Sequence, residues 1–222
     1  MILYGHDTSP YVRRVRVLLA EKGLPFDRDD ASWTNPSAAV LRLNPMLRVP
    51  ALVDGEQTLL DSKLIATYLC ERYPQAPPPP PAGHLPLQPT QWHPEHRWDD
   101  ENTLLTTDAA LDSAINVFLL ELDGIPAAQA PYLGRQQQRI RGCLTWLDSK
   151  LAAGPTFHPG VFAPIDIALM CALQWMQFRN RYPVHEHAAL SRFVIAHATR
   201  PSLAMTHPSL AQGAALPKTP TQ

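Results

Sequence analysis

The sequence predicts a protein of α/β plus all-α class, in which a small βαβ-α-ββα domain is followed by a helical bundle. Nine prolines fall between Pro74 and Pro94, including the run Pro77 to Pro81, so neither a helix nor a central strand persists there. Before this stretch, short apolar runs alternate with helical patterns, and after it only helical patterns recur. The expected divisions are a first domain over 1–75, a proline-rich linker over 76–94 acting as a stiff spacer, and an all-helical domain over 95–222.

The chain opens on a strand, Ile2 to Tyr4, and a helix from Pro10 to Lys22, with proline at the first helical position, where its missing N–H costs nothing. A strand at Pro25 to Arg28 and a short helix near Pro36 to Leu43 follow. Strands around Ala51 to Val53 and Thr58 to Leu60 and a helix from Ser62 to Tyr73 complete the first domain. Beyond the linker, helices are expected near Trp98 to Leu122, Pro131 to Ala152, Pro164 to Phe178 and Glu186 to Ala198. In the second of these, Ile140, Cys143, Leu144, Leu147 and Leu151 form one apolar stripe. The third has almost no polar face, which places it at the centre of its domain. Phe162 and Ile167 are spaced as a hydrophobic staple across its start, and Asp166 is placed to reach back to the cap backbone. Ala163 at the cap position has no side-chain acceptor, a loss of about 1 kcal/mol.

Across 222 residues, 45% apolar and 18% charged residues make an ordinary globular balance, and the net charge is −1. With no basic field, neither nucleic acid nor an anionic membrane is the expected partner, and a small neutral or zwitterionic ligand fits better. Cys70, Cys143 and Cys171 lie in apolar helical patterns, an odd set without metal spacing, as in a reducing compartment. No signal-like start or membrane-length apolar run is read, so the expected location is cytoplasmic. His93-Pro94-Glu95-His96 and His185-Glu186-His187 lack a third ligand at metal-site spacing, so no metal is expected. Trp92, Trp98, Trp146 and Trp175 are expected in core or interface.

The turn after the first strand carries Ser9-Pro10-Tyr11-Val12, where a disulfide oxidoreductase would have Cys-x-x-Cys. A hydroxyl at the first position and an apolar residue at the last cannot form a disulfide, so sulfur chemistry here needs a bound thiol. A thiolate at this helix N-terminus would have a depressed pKa, with the Ser9 hydroxyl as donor and Arg13, Arg14 and Arg16 adding to the field. Taken alone, Ser-Pro at a helix start is more often a simple cap than a catalytic group. Arg48-Val49-Pro50-Ala51 puts a proline directly before a strand. A cis Val49-Pro50 bond would aim the Val49 backbone outward for an extended peptide, whereas an ordinary trans turn would not. At Asp61-Ser62 a strand ends and a helix begins. The Ser62 N–H and hydroxyl suit a carboxylate and Asp61 suits an ammonium, and the pair reads equally well as a doubled cap.

Taken together, SPYVRRVRVLLAEKGLPF, LNPMLRVPALVDG and LLDSKLIATYL, in that order and spacing, resemble the cytosolic glutathione S-transferase family, whose thioredoxin-like half would cover Met1 to Tyr73. FAPIDIALMCALQW and ATRPSLAMTHP resemble the family's helical half, and QFRNRYP is most similar to bacterial serine-type members. The resemblance implies a glutathione transferase in which Ser9 activates the glutathione sulfur. Val49 would pair with the cysteinyl unit, Pro50 would be cis, Asp61 and Ser62 would bind the γ-glutamyl head, and Arg48 would approach the glycyl carboxylate. It implies glutathione as co-substrate, no metal, and an electrophilic second substrate. Peroxide reduction, disulfide reduction and a non-catalytic binding or scaffold role are the alternatives. It also implies a homodimer. Leu47 departs from the glycine usual before this loop's basic residue, so a different loop conformation is expected there. The linker is also longer and richer in proline than the family's.

Overall fold

The structure, a computed structural model, describes residues 1–29, 42–126 and 130–211. Its first half contains β1 (Ile2–Tyr4), α1 (Pro10–Glu21), β2 (Asp27–Asp29), β3 (Ala51–Asp54), β4 (Gln57–Leu59) and α2 (Ser62–Arg72). The sheet order is β2-β1-β3-β4, with β1 parallel to β2 and antiparallel to β3, and β3 antiparallel to β4. The register brings Leu3 opposite Leu52, and Leu52 opposite Leu59, one apolar row on the buried face. This is the thioredoxin-like arrangement expected. β2 starts two residues later than the sequence suggests, because Pro25 has no N–H to give and the pairing begins with Asp27 N–H donating to the Met1 carbonyl at 2.9 Å. The short helix expected near Pro36 to Leu43 lies largely outside the described residues.

The second half is helical: α3 (Arg97–Leu122), α4 (Pro131–Lys150), α5 (Pro164–Phe178), α6 (Ala188–His197) and the single turn α7 (Pro201–Ala204). Buried α5 residues run without a break from Pro164 to Met176, the central position that its composition demands. Asp166 takes over the missing cap: one carboxylate oxygen accepts from Ala163 N–H at 2.7 Å and the other from Phe157 N–H at 3.2 Å. Burial pushes this carboxyl up to about 7, opposed by the two N–H donors. α6 begins at Ala188, not Glu186, because residues Val184–Glu186 form a 3₁₀ turn. Its first turn is capped from α4, where Asp148 Oδ1 accepts from Ala189 and Leu190 N–H at 2.8 and 2.9 Å.

α3 is long and apolar enough to cross a bilayer by length and composition, which corrects the expectation of no such run. Its inward residues, among them Leu104, Thr107, Leu111 and Ala114, are buried in the bundle instead. The two halves share one apolar core, in which Leu3, Val15 and Leu52 belong to the same cluster as Ile167, Leu173 and Phe193. The proline-rich segment is no mere spacer, because Leu87 is buried and bridges to Phe162. Phe162 N–H donates to the Pro86 carbonyl at 2.8 Å, and Gln88 N–H donates to the Phe162 carbonyl at 2.9 Å. Thus the linker is stitched to the residue that staples α5. Of the tryptophans, Trp175 is buried in the core and Trp98 is 71% exposed on the single chain.

Candidate functional site

The site starts at the end of β1, where Gly5 has φ +140°. A Cβ on Gly5 would lie 2.4 Å from Val12 Cγ2 and 3.0 Å from Val49 Cβ, so only glycine lets the first turn of α1 and the Val49 segment close on β1. Asp7 then pairs with both Arg16 and Arg28, and Arg28 Nη2 donates to the Gly5 carbonyl at 2.8 Å. These ties fix the loop that presents Ser9. Gly5→Ala should therefore lower stability by roughly 2 kcal/mol, read as a lower urea midpoint, and an unchanged midpoint would refute the close approach.

Ser9 is the N-cap of α1, and its Oγ accepts from Val12 N–H at 3.3 Å. Accepting this long bond leaves the hydroxyl proton to be donated elsewhere. The three neighbouring arginines do not serve the helix N-terminus as expected. Arg13 is buried against the second half, donating to Thr206 Oγ1, Gln174 Oε1 and the Leu203 carbonyl. Arg14 pairs with Asp108 at 2.5 Å, and Arg16 pairs with Asp7. Their guanidinium groups are held by these partners and not by Ser9, and the backbone N–H groups of the first turn add positive potential at the helix start.

The Val49-Pro50 peptide is cis. Before it, Asn44 holds the loop from both ends: its amide donates to the Arg48 carbonyl at 2.7 Å, and its Oδ1 accepts from Met46 N–H at 2.9 Å. Leu47 has φ +54°, so leucine occupies the left-handed region that glycine favours. Leu47→Gly should raise stability by about 1 kcal/mol, read as a higher urea midpoint. A fall in stability would show that the exposed Leu47 side chain contributes packing outweighing the strain.

Ser9, Arg48 and Val49 line one cleft of about 420 Å³ between the two halves, with His6, Thr8 and Tyr11. Pro50 is buried immediately behind Val49. Asp61 and Ser62 are not part of this wall. Asp61 Oδ1 caps α2 by accepting from Lys63 and Leu64 N–H at 2.8 and 3.2 Å, and buried Ser62 accepts from Arg14 Nη1 at 3.3 Å. The opposite wall escaped the sequence reading. Asp112, Ile115, Asn116 and Leu119 face the cleft from α3, joined by Phe118, Trp175 and Arg179. Their i, i+3, i+4, i+7 spacing was the available signal, but nothing in it says which face of α3 meets the first half. Tyr11 bridges the walls, donating to Asp112 Oδ1 at 2.6 Å. Burial first, then the Asp112 charge, holds the phenol above its ordinary range, so it stays protonated.

His93 and His96 stack with His158, ring centroids 4.5 to 5.7 Å apart, and His158 Nε2 lies 2.6 Å from Asp100 Oδ1. Among the described residues, no group of three His, Cys, Asp or Glu side chains is placed to hold a metal ion. Cys70, Cys143 and Cys171 are free thiols, and burial pushes Cys70 up to about 11.

Residues 3–79 match the family model for the glutathione S-transferase N-terminal domain. The chain is 30% identical over 215 residues to the GST-like protein YibF of Escherichia coli K12, covering 94% of this chain and 98% of that one. It is 39% identical over 77 residues to a stringent starvation protein A homolog of Coxiella burnetii, covering 35% of this chain and 37% of the relative. The chain thus spans little more than a third of that relative's length. Among solved structures, it superposes with a TM-score of 0.78 at 25% identity on a glutathione S-transferase from Methylobacterium radiotolerans in complex with glutathione sulfonate, covering 100% of this chain and 97% of that one. A glutathione transferase family member from Pseudomonas fluorescens Pf-5 with bound glutathione gives 0.69 at 28% identity, covering 93% and 98%. The chain belongs to the glutathione S-transferase family.

Proposed function

We propose that the protein is a glutathione transferase that activates bound glutathione at Ser9 and transfers it to an electrophile in the cleft. The observation that carries this reading is the Ser9 hydroxyl at the N-terminus of α1, in one cleft with Val49 beside a cis proline. Glutathione lies along the Val49 edge as an added strand, with Arg48 near its glycyl carboxylate. Asp61 and Ser62 take the γ-glutamyl head, an assignment that rests on the LLDSKL motif and not on the cleft wall. The helix N-terminus and the Ser9 O–H stabilise the thiolate while leaving its lone pair nucleophilic. That pair forms a carbon–sulfur bond as the electrophile's leaving group departs with its electrons. Calorimetry with glutathione, followed by a conjugation assay with chlorodinitrobenzene, tests the reading. No heat of binding at millimolar glutathione would end it.

A second reading is a non-catalytic glutathione-binding or scaffold protein, favoured by first-half relatives that are named for stringent starvation and not for glutathione transfer. Binding with no conjugation, peroxide reduction or disulfide reduction would select it. We also propose a cytoplasmic homodimer, for which the exposed Leu64 on α2 and Leu105 on α3 supply apolar surface. Light scattering of the purified chain tests the stoichiometry.

A further inference from the structure

The run Pro77 to Pro81 has a geometry of its own. Each residue from Ala76 to Pro80 precedes a proline, which pushes it out of the helical region, and each proline holds φ at about −65°. Their peptides are trans. The run is therefore a left-handed polyproline helix, with about three residues per turn and a rise of about 3.1 Å per residue. That period gives three faces: Pro77 with Pro80, Pro78 with Pro81, and Pro79 with Ala82. Pro77 and Pro80 are half-buried, whereas Pro78, Pro79, Pro81 and Ala82 are exposed. One face turns to the protein and two turn to solvent.

The ridge is held along its length. A Cβ on Gly23 would lie 3.0 Å from Pro78 Cγ, so one edge of the Pro78 ring rests just beyond α1. Upstream, the Tyr73 hydroxyl donates to Asp54 Oδ2 at 2.5 Å. Downstream, His84 N–H donates to the Pro81 carbonyl at 3.1 Å, and the Leu85 carbonyl accepts from Arg200 Nη1 at 2.8 Å. A partner would meet a shape already ordered, with little entropy left to lose. The five prolines offer carbonyl acceptors and no N–H donor, so another chain cannot pair with them as an added strand. From Arg72 to Pro94 the chain carries no carboxylate.

We propose that Pro78, Pro79, Pro81 and Ala82 form a docking ridge for a separate protein domain whose groove is lined by aromatic side chains and edged by carboxylates. Slots for Pro78 and Pro81 repeat about 9 Å apart, three residues at the rise of this helix. Pro79 fills the groove from the second exposed face, and indole or phenol donors of the groove reach the carbonyls. Such a groove contacts two faces of a polyproline helix, and here the third is the one that packs on the protein. An acidic groove edge meets no like charge along the segment. No residue of the run lines the cleft, so the inference is independent of the transferase reading.

The probe is an isotope-labelled SH3 domain with an acid-edged aromatic groove, titrated by nuclear magnetic resonance with the whole protein and with a free peptide of residues 72–84. The whole protein should bind at least as tightly as the peptide, because its ridge is already ordered. Pro79→Ala and Pro81→Ala should each weaken binding about tenfold, and Pro77→Ala, on the inward face, by less than about twofold. Circular dichroism checks that all three variants keep the fold. Binding to neither the protein nor the peptide, or binding to the protein more than about tenfold weaker than to the peptide, would overturn the inference. So would an equal loss from Pro77→Ala and Pro79→Ala. If light scattering shows that Pro79→Ala combined with Pro81→Ala abolishes self-association, the ridge belongs to a second copy of this chain and the inference fails.

Discussion

Replacing Ser9 with alanine should slow conjugation by about 10² to 10³, the range seen when one donor to a developing or resident anion is removed. The Ser9 O–H would donate to the glutathione thiolate, a charge-assisted bond worth about 2 to 3 kcal/mol. At roughly 1.4 kcal/mol per unit, its loss should raise the pKa of the bound thiol by about two units, back toward the ordinary thiol value near 8.5. The sign follows from the charge: the hydroxyl stabilises the anion alone, so removing it moves the thiolate absorbance titration to higher pH, and the fall in rate is largest below the wild-type thiol pKa and shrinks as pH rises through the raised one. Because the group acts on the sulfur and not on the peptide frame, glutathione affinity measured at a pH where the thiol is protonated should change little. Ser9→Ala also removes the bond to Val12 N–H, but at 3.3 Å that cap lies at the weak end of its range, a loss of about 0.5 kcal/mol. Thermal unfolding therefore separates the two roles. Ser9→Thr, which keeps a hydroxyl, should retain most of the activity. A thiolate titration unmoved by Ser9→Ala would refute the donor role and leave Ser9 as a cap.

Local chemistry made most of the fold legible. Pro10, Pro131 and Pro164 each mark the first residue of a helix, and all three helices start there. The almost wholly apolar pattern from Ile165 to Met176 placed α5 at the core because such a surface has no other stable environment. What the chain sequence concealed was set by distant partners. Arg13, Arg14 and Arg16 look like one basic cluster in the sequence. A helix turns about 100° per residue, so they point to three different places: Gln174 on α5, Asp108 on α3 and Asp7. The Val49 side of the site was readable because a proline before a strand and a turn before a helix carry backbone signals. The α3 side was not, because Asp112, Asn116 and Leu119 acquire meaning only once α3 is laid across the mouth of the first half. Leu47 shows the opposite failure: Asn44 and the loop closure impose a conformation that leucine's own preference would resist.

Arg200→Met should destabilise the protein by about 3 to 5 kcal/mol, the largest stability loss expected from a residue outside the cleft. The Arg200 guanidinium is almost wholly buried. It donates through Nε and Nη2 to the two oxygens of Glu21 at 2.7 and 2.6 Å, and through Nη1 to the Leu85 carbonyl at 2.8 Å. Three remote segments meet on it: the last residue of α1, the proline-rich segment and the start of α7. Its flat face also lies 4.4 Å from the centroid of Phe162, which staples α5. Methionine fills similar volume but abandons Glu21 in a largely buried position with Ser202 as its remaining partner, and it orphans the Leu85 carbonyl. The cost therefore comes from the stranded acceptors more than from the lost attraction. Two comparisons follow from that cause. Glu21→Leu combined with Arg200→Met should recover most of the loss, because a well-packed apolar pair needs no compensation in the interior. Arg13→Met should cost less than Arg200→Met, because the groups bonding Arg13 are neutral and no carboxylate is left behind. Urea midpoints of the three variants and the wild type measure these differences. An Arg200→Met loss below about 1 kcal/mol, or a double variant no more stable than the single, would show that the Glu21 pair does not hold the halves together. At temperatures well below unfolding, Arg200→Met should conjugate glutathione at close to the wild-type rate, because the ion pair sits at the end of α1 opposite Ser9. Anchoring that end keeps the helix in place, and the proposed chemistry depends on its other end.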